Sequence, residues 1–184
     1  EYERLGVLRS ALLGDCDMII TTPDAALQYT MPPELLASSC LRLAVGCEIE
    51  RETLISFLLS AGYVRVEMVE GAGQFSVRGD IVDIYSPGSS DPIRIQFFDC
   101  EIEDMEYFDT VSQRRTEHLS SIELTPAREI LIPDDAKAQL RSEIEAQSKR
   151  VKDDRVCDML LSELETLSSD REIGFRDKYI SVIY

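Results

Sequence analysis

Two arginines and a phenylalanine have the residue types from which proteins build recognition surfaces. Arg78 lies in the run FSVRG, and Arg94 and Phe98 lie in the run IRIQFF. A guanidinium group can bind a carboxylate through two parallel hydrogen bonds. Arginine and aromatic side chains are also enriched among the residues that contribute most to protein–protein affinity. These residues therefore favour a surface that binds an acidic, partly apolar partner.

Strand alternation places these side chains on one face of a sheet, because successive side chains of a strand point to opposite faces. In both runs the apolar residues occupy alternate positions, which we assign to the core face. The opposite positions, expected on neighbouring antiparallel strands, are Arg78, Arg94, Gln96 and Phe98. The alternative is that Phe98 packs beneath a helix at residues 51–62 and that the arginines are simply solvated.

The alternation shifts by one residue after Gly79. Val82 and Ile84 fall on positions equivalent to that of Arg78, although both are apolar. A β-bulge at Gly79 and Asp80 would return the apolar residues to the core face and redirect the arginine. We therefore expect a bulged strand with Arg78 displayed on its outer side.

Motifs for catalysis or nucleotide binding are weak or missing in this sequence. His118 is its one histidine, and we expect it at the surface, without a nucleophile beside it. The stretch GAGQFS has two glycines of a dinucleotide fingerprint, but Ser76 replaces the third and a strand follows, so we interpret it as a hairpin turn. The sequence has no GxxxxGK[ST] motif. We expect no enzymatic activity and no cofactor.

An acidic cluster is the other candidate for chemistry. Its members lie close together in the sequence, at Asp99, Glu101, Glu103 and Asp104. The cluster lacks the glycine and the spacing of a calcium-binding loop, and strand alternation would divide it between two faces. We interpret it as the solvated face of a strand and expect no metal site.

Composition excludes several classes of protein. The 184 residues carry a formal net charge of −16, which disfavours non-specific nucleic-acid binding by this chain alone. No apolar run approaches the roughly 20 residues that span a bilayer, and the first residues lack the apolar stretch of a signal peptide. The five cysteines are scattered without a CxxC motif, which indicates buried thiols in a reducing, cytoplasmic location.

The first 62 residues have the pattern of α/β layers. Thr22 followed by Pro23 predicts a helix start, and Gly62 predicts a helix end. Leu54, Ile55, Leu58 and Leu59 are expected on one buried helix face. The elements predicted here are a helix at 1–13, a buried strand at 17–22, a short helix from 23, a connector at 32–39, a strand and bend at 41–49 and a helix at 51–62.

Residues 63–125 instead show short alternating runs separated by Gly, Pro, Ser and Asp, the signature of an antiparallel meander. Its last strand is expected at 120–126. Two helices are predicted after Pro133. The composition of both ends leads us to expect that the sequence continues into a larger protein.

The stretch from AGYVRVEMVE through VRGDIVDIY and IRIQFFD to SSIELTPARE resembles the UvrB-homology region of bacterial transcription-repair coupling factors. The flanks DMIITTPDAALQY, GCEIERETLISFL and DKYISVIY are similar to the same region. VRGDIVDI and IRIQFFD…EIE are shared with the excision-repair protein UvrB, whereas FDTVSQRR is closer to the coupling factors. In FFDCEI, Cys100 stands where relatives often have an acidic residue.

The resemblance implies a fold of mixed class, α/β and α+β, in which an antiparallel-sheet α+β domain is inserted into a partial, degenerate helicase-like α/β domain. The implied divisions are a helicase-like piece at 1–39, a UvrA-binding domain at 40–126 and the helical start of a second helicase-like piece at 127–184. Arg78, Arg94 and Phe98 match the family's UvrA-contacting positions.

The function implied by the resemblance is recruitment of the nucleotide-excision-repair protein UvrA to sites where RNA polymerase has stalled at a lesion. RNA polymerase and DNA would bind through other parts of the parent protein, an ATP-dependent DNA translocase. The alternatives are a piece of UvrB itself, which would share the UvrA-binding face, or a DNA-processing ATPase domain.

Overall fold

The computed structural model describes residues 2–168 and 176–184. The chain forms two compact units, Glu1–Leu131 and Ile132–Tyr184. The first unit contains all the strands of the described residues, and the second contains helices. The fold is therefore a mixture of helices and a mainly antiparallel sheet, in agreement with the predicted α+β class. The helicase-like character of residues 1–39 and 127–184, and the division into three parts, remain predictions.

Six strands form one sheet in the order β2-β3-β4-β5-β6-β7, and β1 and β8 form a separate antiparallel pair. All neighbours in the large sheet are antiparallel except β2 and β3, which are parallel. The strands are β1 (Leu41–Ala44), β2 (Val64–Arg65), β3 (Gln74–Arg78), β4 (Ile81–Tyr85), β5 (Ile93–Phe98), β6 (Glu101–Phe108), β7 (Arg115–His118) and β8 (Ser121–Leu124).

Seven α-helices lie in the described residues, three of them short. They are α1 (Tyr2–Leu13), α2 (Pro23–Ala26), α3 (Pro33–Ser38), α4 (Arg51–Ser60), α5 (Asp134–Arg150), α6 (Asp154–Ser168) and α7 (Ile180–Ile183). None of the helices in the described ranges combines the length and the apolar character needed to cross a bilayer.

The main core of the first unit lies between α4 and one face of the large sheet. Leu54 and Leu58 of α4 are fully buried, as are Phe75, Ile84 and Ile95 of the sheet. Burying apolar side chains of this size stabilises a fold by about 1.5–3 kcal/mol each. Because side chains alternate along a strand, the residues between these positions point to the opposite face of the sheet, away from the core.

Several predicted elements are confirmed. The helices at the start of the chain and at 51–62 are α1 and α4, and the two helices after Pro133 are α5 and α6. Thr22 caps α2, since its hydroxyl accepts a hydrogen bond from the Ala25 amide at 3.3 Å. Gly62 follows α4 with a φ of +86°, a conformation that favours glycine.

The predicted buried strand at 17–22 is wrong. Met18 and Ile20 are exposed, and among the described residues no strand pairs with this segment. An apolar run becomes a buried strand only where neighbouring strands satisfy its backbone groups, so composition alone was insufficient. The predicted connector at 32–39 is also corrected, since Pro33 occupies the first turn of α3, where its missing amide hydrogen is tolerated.

The meander prediction is correct for β3 to β6 and wrong at both ends. The segment at 120–126 contains β8, which pairs with β1 rather than with the meander. The glycines of GAGQFS do not form a hairpin turn, because β2 and β3, which flank them, run parallel. β7 was not predicted, since the four residues RTEH are all exposed and show no apolar alternation.

The five cysteines are free thiols, and each is partly exposed rather than buried as expected. No disulfide links them, in agreement with the scattered spacing. Cys40 shows the clearest effect of its surroundings, since partial burial raises the pKa of its thiol.

Two adjacent leucines of α4 test how the core is built. The helical period predicts both Leu58 and Leu59 on the buried face, but Leu58 is fully buried and Leu59 is about half exposed. We expect Leu58→Ala to lower the free energy of unfolding by about 2–5 kcal/mol. The matched control Leu59→Ala should change it by less than about 1 kcal/mol. Urea denaturation of both variants measures the difference, and equal losses would contradict this packing.

Candidate functional site

The site begins at the turn between β3 and β4. Arg78 pairs with Ile81 across the two strands, so Gly79 and Asp80 form a tight turn between them. Gly79 has a φ of +61°, which glycine adopts without steric cost. The predicted bulge is therefore wrong: FSVRGDIVDIY is a hairpin, and the shift in alternation after Gly79 arises because the chain reverses there.

The hairpin places β4 between the strands that carry the two arginines. The expectation that β3 and β5 are neighbours is wrong, because the sheet order is β3-β4-β5. Asp83 of β4 pairs with Ser76 on one side and with Arg94 on the other. An acidic side chain therefore lies between the two basic ones, on the sheet face opposite the main core.

Asp83 binds both arginines. Its Oδ1 accepts a hydrogen bond from Arg94 Nε at 2.7 Å, and its Oδ2 accepts one from Arg94 Nη2 at 2.9 Å. Arg78 Nη2 also donates to Oδ2, at 2.5 Å. The Asp83 side chain is only 1% exposed. A carboxylate removed from water to this degree requires partners with good geometry, and the two guanidinium groups provide them.

Arg94 is largely enclosed, with 12% of its side chain exposed. The guanidinium carbon lies 4.4 Å from the ring centre of the buried Phe108, a cation–π contact. Its Nη2 also donates to Gln113 Oε1 at 3.1 Å. The hydrogen bond to Asp83 is the main cause of a pKa of Arg94 that lies above the usual value for arginine. Most of its hydrogen-bonding capacity is therefore used within the chain.

Arg78 is the more available of the two arginines. Its side chain is 46% exposed, and Asp83 is the partner found for it among the described residues. The neighbouring turn is bonded to Arg51 at the start of α4, which donates to Gly79 O at 2.7 Å and to Asp80 Oδ1 at 3.1 Å. The turn beside Arg78 is thus held in place, and its guanidinium has N–H donors left for a partner.

Phe98 ends β5 on the same face, two residues beyond Gln96. It is 72% exposed, so the alternative in which it packs beneath the 51–62 helix is wrong. The next residue, Asp99, has a φ of +57° and begins the turn into β6. Gln96 and Arg78 are both paired with Ile81, which separates their strands by roughly 10 Å. An exposed aromatic ring and an exposed cation thus lie on one face.

A second group of charges lies on this face, around His118. Its Nδ1 lies 3.4 Å from Asp104 Oδ1 and its Nε2 lies 3.2 Å from Glu106 Oε1. Within the described ranges, these are the residues whose ligand atoms lie close enough together to hold a metal ion. However, Arg115 Nη1 is 2.7 Å from Glu106 Oε2 and 3.6 Å from Asp104 Oδ2. The arginine already supplies the positive charge that these carboxylates require. His118 itself is exposed, as expected.

A concave site lies elsewhere in the first unit. A cleft of about 800 Å³ lies between α1, the segment at 16–20 and β8, and its lining includes Val7, Ile19 and Ile122. None of the predicted site residues lines it. The geometry of the predicted residues is that of an open surface, which suits a protein partner better than a small molecule.

The structure brings Arg78, Arg94 and Phe98 to one face, as alternation predicted, and adds residues that sequence reasoning missed. Asp83, Phe108 and Gln113 were not proposed as site residues, although all contact an arginine of the site. One signal was present: reading GD as a hairpin turn would have paired β3 with β4 and placed Asp83 on the face of the arginines.

Comparison with known proteins gives two findings. The sequence model of the UvrB interaction domain matches residues 41–130. Transcription-repair-coupling factor of Bacillus subtilis (strain 168) is 35% identical over 99% of this chain, and that of Myxococcus xanthus is 34% identical over 81%. The protein of the same name from Staphylococcus epidermidis is 30% identical over 77% of the chain. The chain spans 16% of the length of the first relative and 12% of the other two.

Replacing each arginine by lysine tests their different surroundings. Lysine keeps the charge but cannot form the two parallel bonds to Asp83 or stack as a plane on Phe108. We expect Arg94→Lys to lower the free energy of unfolding by about 1–3 kcal/mol. Arg78→Lys should cost less than about 1 kcal/mol, because that side chain is half exposed. Thermal or urea unfolding compares the two variants, and equal effects would refute the assigned difference in environment.

Proposed function

We propose that this chain is a protein-recognition module that binds UvrA. Its residues 41–130 belong to the UvrB interaction domain family, and its homologues include transcription-repair-coupling factors. The observation that carries the proposal is the shared face on which Arg78 offers a half-exposed guanidinium and Phe98 an exposed ring. Arg94 completes the face from a more enclosed position.

The chemistry of this face defines the partner. Arg78 has donors left for a carboxylate of UvrA, and a bidentate pair of this kind is strong when water is excluded. Phe98 would fill an apolar notch beside that carboxylate, since a buried aromatic side chain supplies much of the affinity of a typical interface. The acidic surface of the rest of the chain would repel an acidic partner, so binding would be confined to the face on which Arg78 and Phe98 are exposed.

The relatives support a proposal for the wider role. A module that binds UvrA within a transcription-repair-coupling factor would recruit UvrA to sites where RNA polymerase has stalled at a lesion. RNA polymerase, DNA and ATP would be bound by other parts of such a protein. For this chain we propose recognition alone, without catalysis and without a cofactor, in the cytoplasm. UvrB itself, the alternative parent, would present the same face to UvrA.

Charge reversal and truncation on the face test the proposal. Arg78→Glu would set a carboxylate against the acidic group of UvrA, and Phe98→Ala would leave its notch empty. We expect each variant to lose about 2 kcal/mol or more of binding free energy, about a 30-fold rise in Kd. Isothermal titration of purified UvrA with each variant makes the measurement.

Two exposed residues away from the large sheet are suitable controls. Arg42→Glu has the same change of charge as Arg78→Glu, but on β1 of the two-stranded sheet. Tyr29→Ala removes an exposed aromatic ring like that of Phe98. Both should bind UvrA with wild-type affinity. Wild-type affinity for Arg78→Glu and Phe98→Ala as well would end the proposal.

A further inference from the structure

The segment FDTVSQR begins at the last residue of β6, and the proposed contacts with UvrA leave it without a role. In the structure, residues 109–114 form the connection between β6 and β7. The loop is tightly bonded: Ser112 N donates to Asp109 Oδ1 at 2.7 Å, and Gln113 N donates to Asp109 O at 2.8 Å. The hydrogen bonds from Ser112 also lower the pKa of Asp109.

Gln113 is the residue of this loop that faces the site. Its backbone has a φ of +58°, which is uncommon outside glycine and indicates that the position is determined by its surroundings. Both the nitrogen and the oxygen of its side-chain amide form hydrogen bonds. Nε2 donates to Thr110 O at 2.8 Å, and Oε1 accepts from Arg94 Nη2 at 3.1 Å. The Gln113 carbonyl lies 3.4 Å from Arg94 Nη1, a longer contact.

These contacts continue to the exposed cation. Gln113 accepts a hydrogen bond from Arg94, and the Phe108 ring lies against the guanidinium group of Arg94. Arg94 in turn binds both oxygens of Asp83, and Asp83 Oδ2 accepts from Arg78. Each link is a hydrogen bond to a charged group, which contributes about twice as much as a neutral one.

We propose that Gln113 is a positioning residue for partner binding, which acts through Arg94 and Asp83 to fix the orientation of Arg78. The inference rests on the proposed function, since Arg78 is the group that meets the partner. A partner that binds Arg78 gains more when the guanidinium is already aligned, because less side-chain freedom is lost on binding. This role does not require Gln113 to contact the partner.

The variant Gln113→Asn separates this role from a general loss of structure. Asparagine adopts a positive φ readily, but its side chain is one methylene shorter, so its carbonyl oxygen cannot reach Arg94. We expect about a tenfold higher Kd for UvrA. The melting temperature should remain within a few degrees of the wild type. Val111→Ala, a change at an exposed position of the same loop, should leave the Kd unchanged.

A double-mutant cycle shows whether the effect passes through Arg78. The Kd for UvrA is measured for the wild type, Gln113→Asn, Arg78→Ala and the double variant. We expect Gln113→Asn to weaken binding in the presence of Arg78 and to have no further effect in the Arg78→Ala background. An undiminished loss in that background would overturn the proposal, as would wild-type affinity of the single variant Gln113→Asn.

A measurement without UvrA distinguishes failure of this inference from failure of the proposed function. Nuclear magnetic resonance of ¹⁵N-labelled arginine side chains reports how well the Arg94 Nε hydrogen is protected from exchange with water. We expect protection in the wild type and loss of it in Gln113→Asn. Protection lost without any change in UvrA affinity, while Arg78→Ala still weakens binding, would reject the positioning role and leave the proposed function standing. No effect of Arg78→Ala or Phe98→Ala would reject both.

Discussion

A buried carboxylate shared by two arginines determines the shape of the candidate surface. Asp83 is almost fully removed from water and accepts hydrogen bonds from Arg78 and Arg94. Such a group is costly to bury alone, so the strands that carry its partners must stay in register for the charge to be compensated. The hairpin at Gly79 and Asp80 achieves this register on one side, and the β4–β5 pairing achieves it on the other. One cation becomes part of the scaffold as a result, while the other stays half exposed.

This arrangement presents a cation for binding on a strongly acidic chain. The formal net charge is −16, yet on this face three arginines lie among the acidic side chains and pair with them. Arg115 also lies between two carboxylates, with Nη1 at 2.7 Å from Glu106 Oε2 and 3.6 Å from Asp104 Oδ2, although it is more exposed than Arg94. Paired charges of this kind fix the orientation of the side chains but add little net charge. They therefore suit recognition of one partner and not general attraction to anions.

Sequence alone predicted the face of the site but not the hydrogen bonds that connect its residues. Alternation was sufficient for Arg78, Arg94 and Phe98, because a strand with one buried face fixes the side of every residue. It could not reveal Asp83, since cross-strand partners depend on where the chain turns. The shift in alternation after Gly79 predicts a bulge, whereas the structure has a hairpin turn there. The strand expected at 17–22 failed for a related reason: whether an apolar run forms a strand depends on neighbours that its own residues do not specify. The helices α1, α4, α5 and α6 were predictable because their period and end signals are local.

The structure of a complex between this chain and UvrA tests the central claim most directly. We expect Asp83 and Arg94 to remain paired as they are in the free chain, Arg78 to donate to a carboxylate of UvrA, and the Phe98 ring to be buried against UvrA. A complex in which Arg94 has left Asp83 to bind UvrA, or in which Arg78 and Phe98 remain in solvent, would contradict it.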